Sequence, residues 1–231
     1  MSLFDLNSFG NALESFGNAL VVIFNGLFEY FERYPTYVLI AGERWGEYGW
    51  VPFLPDDNAI KMIDIANVPT SQNDADSIML NRLNIDTLFS GIEELIYKLN
   101  GNRNAFQDSI KCYNNDLYFA CSLSIFSLID QICIVNQKKI QNKRRKLALN
   151  AINDKYNNNT DARYFINTIA VKKIVNNIFC NGNDFDPETE GCGNRNFISH
   201  GMNNLNPDKT FCIKLFVLLY NICLLYSAHI F

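Results

Sequence analysis

Apolar residues recur along most of this chain at spacings of three and four, as in helices with one buried face. Residues 8–14 read SFGNALE and residues 15–21 read SFGNALV, so Phe9, Leu13, Phe16 and Leu20 share a face. The pattern predicts an amphipathic helix to about Arg33, punctuated by Tyr34-Pro35, whose apolar face docks on the protein itself or on a partner or membrane surface. From about Asp74 to Asn100, Ile78, Leu83, Ile85, Leu88, Phe89, Ile92, Leu95, Ile96 and Leu99 keep helical spacing, and Gly101 follows as a stop. A second long helix is predicted from Asp116 to about Lys155. Its first half, Leu117 to Val135, is apolar nearly all round, as a central helix is. A third helix, capped by Thr160, runs through Tyr164, Ile166, Ile169, Ile174 and Ile178 to near Gly182. Asn206-Pro207-Asp208 starts the last, with Asn206 as cap and Pro207 at its first position. No run alternates as a strand between hairpin turns, so the fold class is all-α.

Residues 42–58 break this pattern. Gly42, Gly46, Gly49, Pro52 and Pro55 interrupt regular structure, and Trp45, Tyr48, Trp50 and Phe53 supply large aromatic area. Such a loop either stacks nucleobases or is pinned to the core by its own aromatics.

Composition narrows the function classes. Hydrophobic residues make up 48% of the 231 and charged residues 19%, ample for a core and unlike a disordered chain. The net charge of −4 removes any general electrostatic affinity for nucleic acid, so an RNA contact needs a local basic patch. Lys138, Lys139, Lys143, Arg144, Arg145 and Lys146 form the only dense one, either a solvated helix end or a phosphate-binding surface. The seven cysteines include no Cys-x-x-Cys pair and sit mostly in apolar stretches, as reduced core thiols do. With two histidines, His200 and His229, and no zinc-type spacing, neither a metal nor a cofactor is expected. Met1-Ser2-Leu3-Phe4-Asp5 lacks the positive start of a secretory signal, and a cytoplasmic location is expected. Phe211 to Phe231 is long enough to span a membrane, but Lys214, Asn221, Ser227 and His229 interrupt it. A buried or interface helix is expected there, with no membrane contact.

The candidate chemistry lies between the third and last long helices, in Asn194-Arg195-Asn196-Phe197-Ile198-Ser199-His200-Gly201. Asn194 can cap a short helix and Gly201 can end it. Asn196 and His200 then share a face, and Arg195 sits beside it. Arginine offers phosphate a planar fork, and histidine transfers protons near neutral pH. In the most apolar stretch of the chain, Asp130 lies among Phe126, Ile129, Ile132, Cys133 and Ile134. A lone carboxylate there is costly, so it is expected to pair with Arg195 or to lie on a narrow solvent stripe with Ser124, Ser127 and Gln131. The bland reading of the motif makes Arg195 a loop-fixing ion pair and His200 a satisfied core histidine.

At Arg195, Asn196 and His200 the chain resembles the HEPN superfamily, whose signature is Arg, four to six residues, then His, with a polar residue often following the Arg. The form RN-x-x-x-HG is similar to the version in bacterial phage-defence and toxin proteins. The resemblance covers roughly residues 75–231. It implies a HEPN-like helical bundle at 73–231; it does not account for 1–72, which the residue pattern makes an additional N-terminal helix and aromatic loop. The resemblance further implies a metal-independent endoribonuclease, cleaving RNA through 2′-hydroxyl attack and working as a homodimer. His200 would transfer protons, Arg195 would stabilise phosphate charge, and Asn196 would orient the phosphate or His200. Family members also carry an acidic or polar residue on a helix equivalent to that of Asp130. The partners implied are RNA, a second copy, and an antitoxin or defence-system protein. An alternative from the same residues is a catalytically silent module that binds a nucleotide, RNA or a protein. A third reading is a structural subunit that docks through the SFGNAL helix and the C-terminal helix.

Overall fold

The computed structural model describes residues 35–55, 68–135, 162–179, 193–202 and 206–227, and of residues 35–39, 162–165 and 196 the backbone alone. The SFGNAL helix, Thr160, Gly182 and the basic cluster Lys138–Lys146 lie outside these residues. The chain divides into two compact units, Met1–Val38 and Leu39–Phe231, and the helical core belongs to the second. Among the described residues every regular element is an α-helix: α1 Pro35–Glu47, α2 Gln72–Arg82, α3 Ile85–Lys98, α4 Arg103–Asn114, α5 Tyr118–Val135, α6 Ala162–Ile178, α7 Arg195–Ser199 and α8 Lys209–Ser227.

The core is organised around α8, which packs against α3, α5 and α6, while α4 packs against α3 and α5. Of the apolar stretch in α8, 72% is buried, against 39% in α5. The central helix is therefore α8, not the α5 segment that composition favours. Both are long and apolar enough to cross a membrane by length and composition alone. Within the core, Phe89 on α3 meets Phe216 on α8 edge to face at 4.8 Å, and Phe106 and Tyr113 of α4 pack edge-on against the same Phe216.

Several helix boundaries differ from the sequence expectation. The single helix expected from Asp74 to Asn100 is two, because Asn84 caps α3 by accepting the Asp86 and Thr87 N–H groups, both at 3.1 Å. Asn100, with φ of 53°, not Gly101, supplies the left-handed residue that ends α3. The sequence expectation includes no α4. Yet Phe106, Ile110 and Tyr113 keep helical spacing, and with Ala105 and Cys112 they turn one face of α4 to the core. Asp116, expected inside the next helix, instead takes φ of 57° and closes α4, so that α5 begins at Tyr118. The last helix is capped by Asp208, whose Oδ1 accepts the Phe211 N–H at 2.7 Å, two residues after the expected Asn206.

Gly42 and Gly46 do not break structure; they lie inside α1, one turn apart. A Cβ at Gly42 would come within 2.8 Å of Ile169, and one at Gly46 within 2.6 Å of Lys173, so their lack of side chain lets α1 approach α6. The aromatic segment after α1 is held to the core. Trp45 and Trp50 are fully buried, Trp50 Nε1 donates to Asp76 Oδ1 at 2.7 Å, and Gln72 Nε2 donates to the Tyr48 carbonyl at 3.1 Å. Asn221 on α8 reaches the Phe53 carbonyl at 3.0 Å. Both tryptophans are thus removed from base stacking, and burial of their rings is what places the segment.

Candidate functional site

The motif helix α7 is built from its apolar residues. Phe197 and Ile198 are buried against the core and α7 packs on α5. The Asn194 carbonyl accepts the Ile198 N–H at 3.1 Å, which starts the helix where expected. At the other end Met202 N–H donates to the Phe197 carbonyl at 2.9 Å and Gly201 N–H to the Ile198 carbonyl at 3.1 Å. These two bonds form a Schellman motif in which Gly201, at φ of 66°, is the left-handed residue. His200 is therefore the C-cap, exposed at the rim of α7. It is not a buried core histidine, although it does have an interaction partner.

Arg195, the first residue of α7, places Nη2 at 2.7 Å from Asp130 Oδ2 on α5. Their side chains are 24% and 26% exposed. The expected pairing is present, and Asp130 also lies on the more accessible stripe of α5, where Ser127 is exposed and Ser124 and Gln131 are half-buried. Ser124 Oγ is used on the Ala105 carbonyl at 3.1 Å and Gln131 Oε1 on the Asn102 N–H at 2.9 Å, so the polar residues of α5 mostly tie it to α4. A pair at this exposure contributes on the order of 1 kcal/mol, more than a fully solvated one.

Arg195 and His200 are brought onto one short element. On an ideal helix, five positions correspond to about 140° around the axis, and the Arg195 fork is turned onto α5. The Asn196 side chain and the Lys138–Lys146 cluster lie outside the described residues. The site thus offers a braced guanidinium at the start of a buried-anchored helix and an accessible imidazole at its end.

Among the described residues, cysteine chemistry does not add to it. The five described cysteines are free. Burial pushes the Cys133 thiol, one turn from Asp130, up to about 12 despite a hydrogen bond with Tyr226, and Cys212 and Cys223 are raised as well. Such thiols stay protonated at neutral pH and are poor nucleophiles. Among the described residues no group of His, Cys, Asp and Glu side chains could hold a metal ion.

A second polar cluster has no counterpart in the sequence reading. Asp76 Oδ1 accepts from Trp50 Nε1, from Gln72 Nε2 at 2.8 Å and from Lys214 Nζ at 2.8 Å, and Lys214 also sits 5.3 Å from the Trp50 ring centre. Burial by itself raises the Asp76 carboxyl. The hydrogen bonds from Lys214 and Trp50 and the Lys214 charge outweigh it and hold Asp76 below its ordinary value. Lys214 is visible as a lone charge in an apolar helix, but its partner lies too far away in sequence for any periodicity to reveal. Comparison with family models, curated proteins and solved structures gives no match to this chain.

Proposed function

We propose that the chain is a metal-independent endoribonuclease of HEPN type, acting as a toxin or phage-defence effector. The observation that carries the reading is the Arg195–Asp130 pair at 2.7 Å, which braces the arginine of the RN-x-x-x-H motif beside an exposed His200. In this mechanism the RNA 2′-hydroxyl attacks the adjacent phosphorus while its proton passes to a base. The phosphorus–O5′ bond then breaks, and the leaving oxygen takes up a proton, so the products are a cyclic phosphate and a 5′-hydroxyl. His200 serves in proton transfer. Arg195 stabilises the charge that develops on the phosphate oxygens, Asp130 holds the guanidinium in place, and Asn196 orients the phosphate or the imidazole. A twofold dimer brings two motifs to one cleft, and the Lys138–Lys146 cluster supplies backbone electrostatics. The setting is the cytoplasm, with an antitoxin or defence-system protein as regulator.

One observation favours a second reading. Asp130 already neutralises Arg195, which suits a silent HEPN module that binds a nucleotide, RNA or protein and uses the pair only to fix α7. Incubating total RNA in excess chelator with wild type and His200→Ala separates the two. Cleavage by wild type alone, leaving cyclic phosphate ends, supports the nuclease. Intact RNA with two folded proteins supports the silent module.

A further inference from the structure

We infer that the cavity between α1, α2, α6 and the start of α8 binds a small organic monocation, an ammonium or amidinium group on an aromatic or aliphatic body. The inference is independent of the ribonuclease reading. The cavity holds about 190 Å³, more than the roughly 150 Å³ that admits a benzene ring in an engineered apolar hole. Ile174, Ile178, Phe211 and Leu215 form apolar wall, and Asp76, Lys214 and Asp208 supply the polar groups that orient a ligand.

Charge decides the ligand class. Lys214 and Asp76 offset one another at 2.8 Å. Glu47, also on the wall, is turned to Arg44 at 3.2 Å and Lys173 at 4.0 Å. That leaves Asp208, which has no cationic partner among the described residues. Its Oδ1 takes the Phe211 N–H, and its other oxygen takes no donor among them. Asp76 is similar, with three donors on Oδ1 and none among the described residues on Oδ2. The start of α8, which by itself attracts an anion, is already served by the Asp208 cap. The lining, with Glu47, Asp76 and Asp208 against Lys214, is net negative and disfavours carboxylates and phosphates. Asp208 is solvent-exposed, so its pull on a cation is screened by salt, and the apolar wall receives the body of the ligand. A bare metal ion is a poor fit because it needs a fuller oxygen shell than an apolar wall provides. An organic cation satisfies both surfaces.

The test uses the full chain and three probes of nearly one shape, benzylamine, benzyl alcohol and benzoate, titrated by calorimetry at neutral pH. Benzylamine is expected to bind roughly tenfold more tightly than benzyl alcohol, and benzoate not to bind. Asp208→Asn keeps a capping oxygen and removes the charge, so benzylamine binding falls severalfold while benzyl alcohol is unchanged. Asn177→Trp, an exposed position on the cavity wall, blocks both, with helix content checked by circular dichroism. Equal affinity for the amine and the alcohol, insensitivity of benzylamine to Asp208→Asn, or no binding of benzylamine to wild type overturns the assignment. The Asp208→Asn comparison decides the matter alone if Asn177→Trp does not fold.

Discussion

Arg195 and Asp130, 65 residues apart, meet at 2.7 Å between the motif helix α7 and the apolar helix α5. The pair settles where the motif arginine points. It also gives the carboxylate in the most apolar stretch of the chain a partner, as its surroundings require.

Removing both partners should cost less than the sum of the two single losses. Asp130→Ala and Arg195→Ala are each expected to destabilise by about 1–2 kcal/mol, with a coupling of on the order of 1 kcal/mol in the double variant. Urea denaturation of the four proteins measures it, and additive losses would mean that the pair contributes nothing.

The two glycines around the motif fail for different reasons. Gly201 has φ of 66° and nothing within 4 Å of an added Cβ, so Gly201→Ala is expected to cost only about 1 kcal/mol, with Gly201→Asn milder. Gly193 combines φ of 103° with the Phe211 ring 2.5 Å from an added Cβ, and Gly193→Ala is expected to cost at least about 2 kcal/mol. Melting temperatures should rank Gly193→Ala lowest; the reverse order would discard this account of α7.

At the start of α8, Asp208→Ala is expected to lose about 1 kcal/mol, because the Phe211 N–H loses its acceptor. Asn206→Ala should change stability little. Equal losses in chemical denaturation would return the cap to Asn206.

Acid should reveal the Asp76 cluster. Because the folded-state pKa of Asp76 lies below its ordinary value, the carboxylate adds stability that is complete above the unfolded pKa of about 4. That stability is lost as pH falls through the lower folded value. The stability difference between wild type and Asp76→Asn should therefore be constant near neutrality and shrink as pH drops below about 4. A difference that grows on acidification would contradict the sign of the shift.

Tryptophan fluorescence tests how the aromatic segment is held. Trp45 and Trp50, the only tryptophans, are fully buried, so native emission is expected to be weakly quenched by acrylamide and unchanged by added RNA. Strong quenching in the native state would restore base stacking as a role for this segment.

Local chemistry is legible in the sequence wherever a signal lies within a turn or two of the residue it governs. The all-α class follows from three- and four-residue spacing. The limits of α7 follow from Asn194 and Gly201, because a cap and a left-handed glycine act on their own neighbours. The need of Asp130 for a partner can be read from its apolar flanks, and the motif and the family resemblance point to Arg195 as that partner. Tertiary structure decided the rest. The central role of α8 over α5 depends on which of two similarly apolar helices the others surround, and composition cannot rank them. Gly42 and Gly46 read as breakers until α6 lies against them. The Asp76–Lys214–Trp50 cluster and the cavity beside it join segments far apart in sequence, where only packing of the whole chain determines which charge meets which.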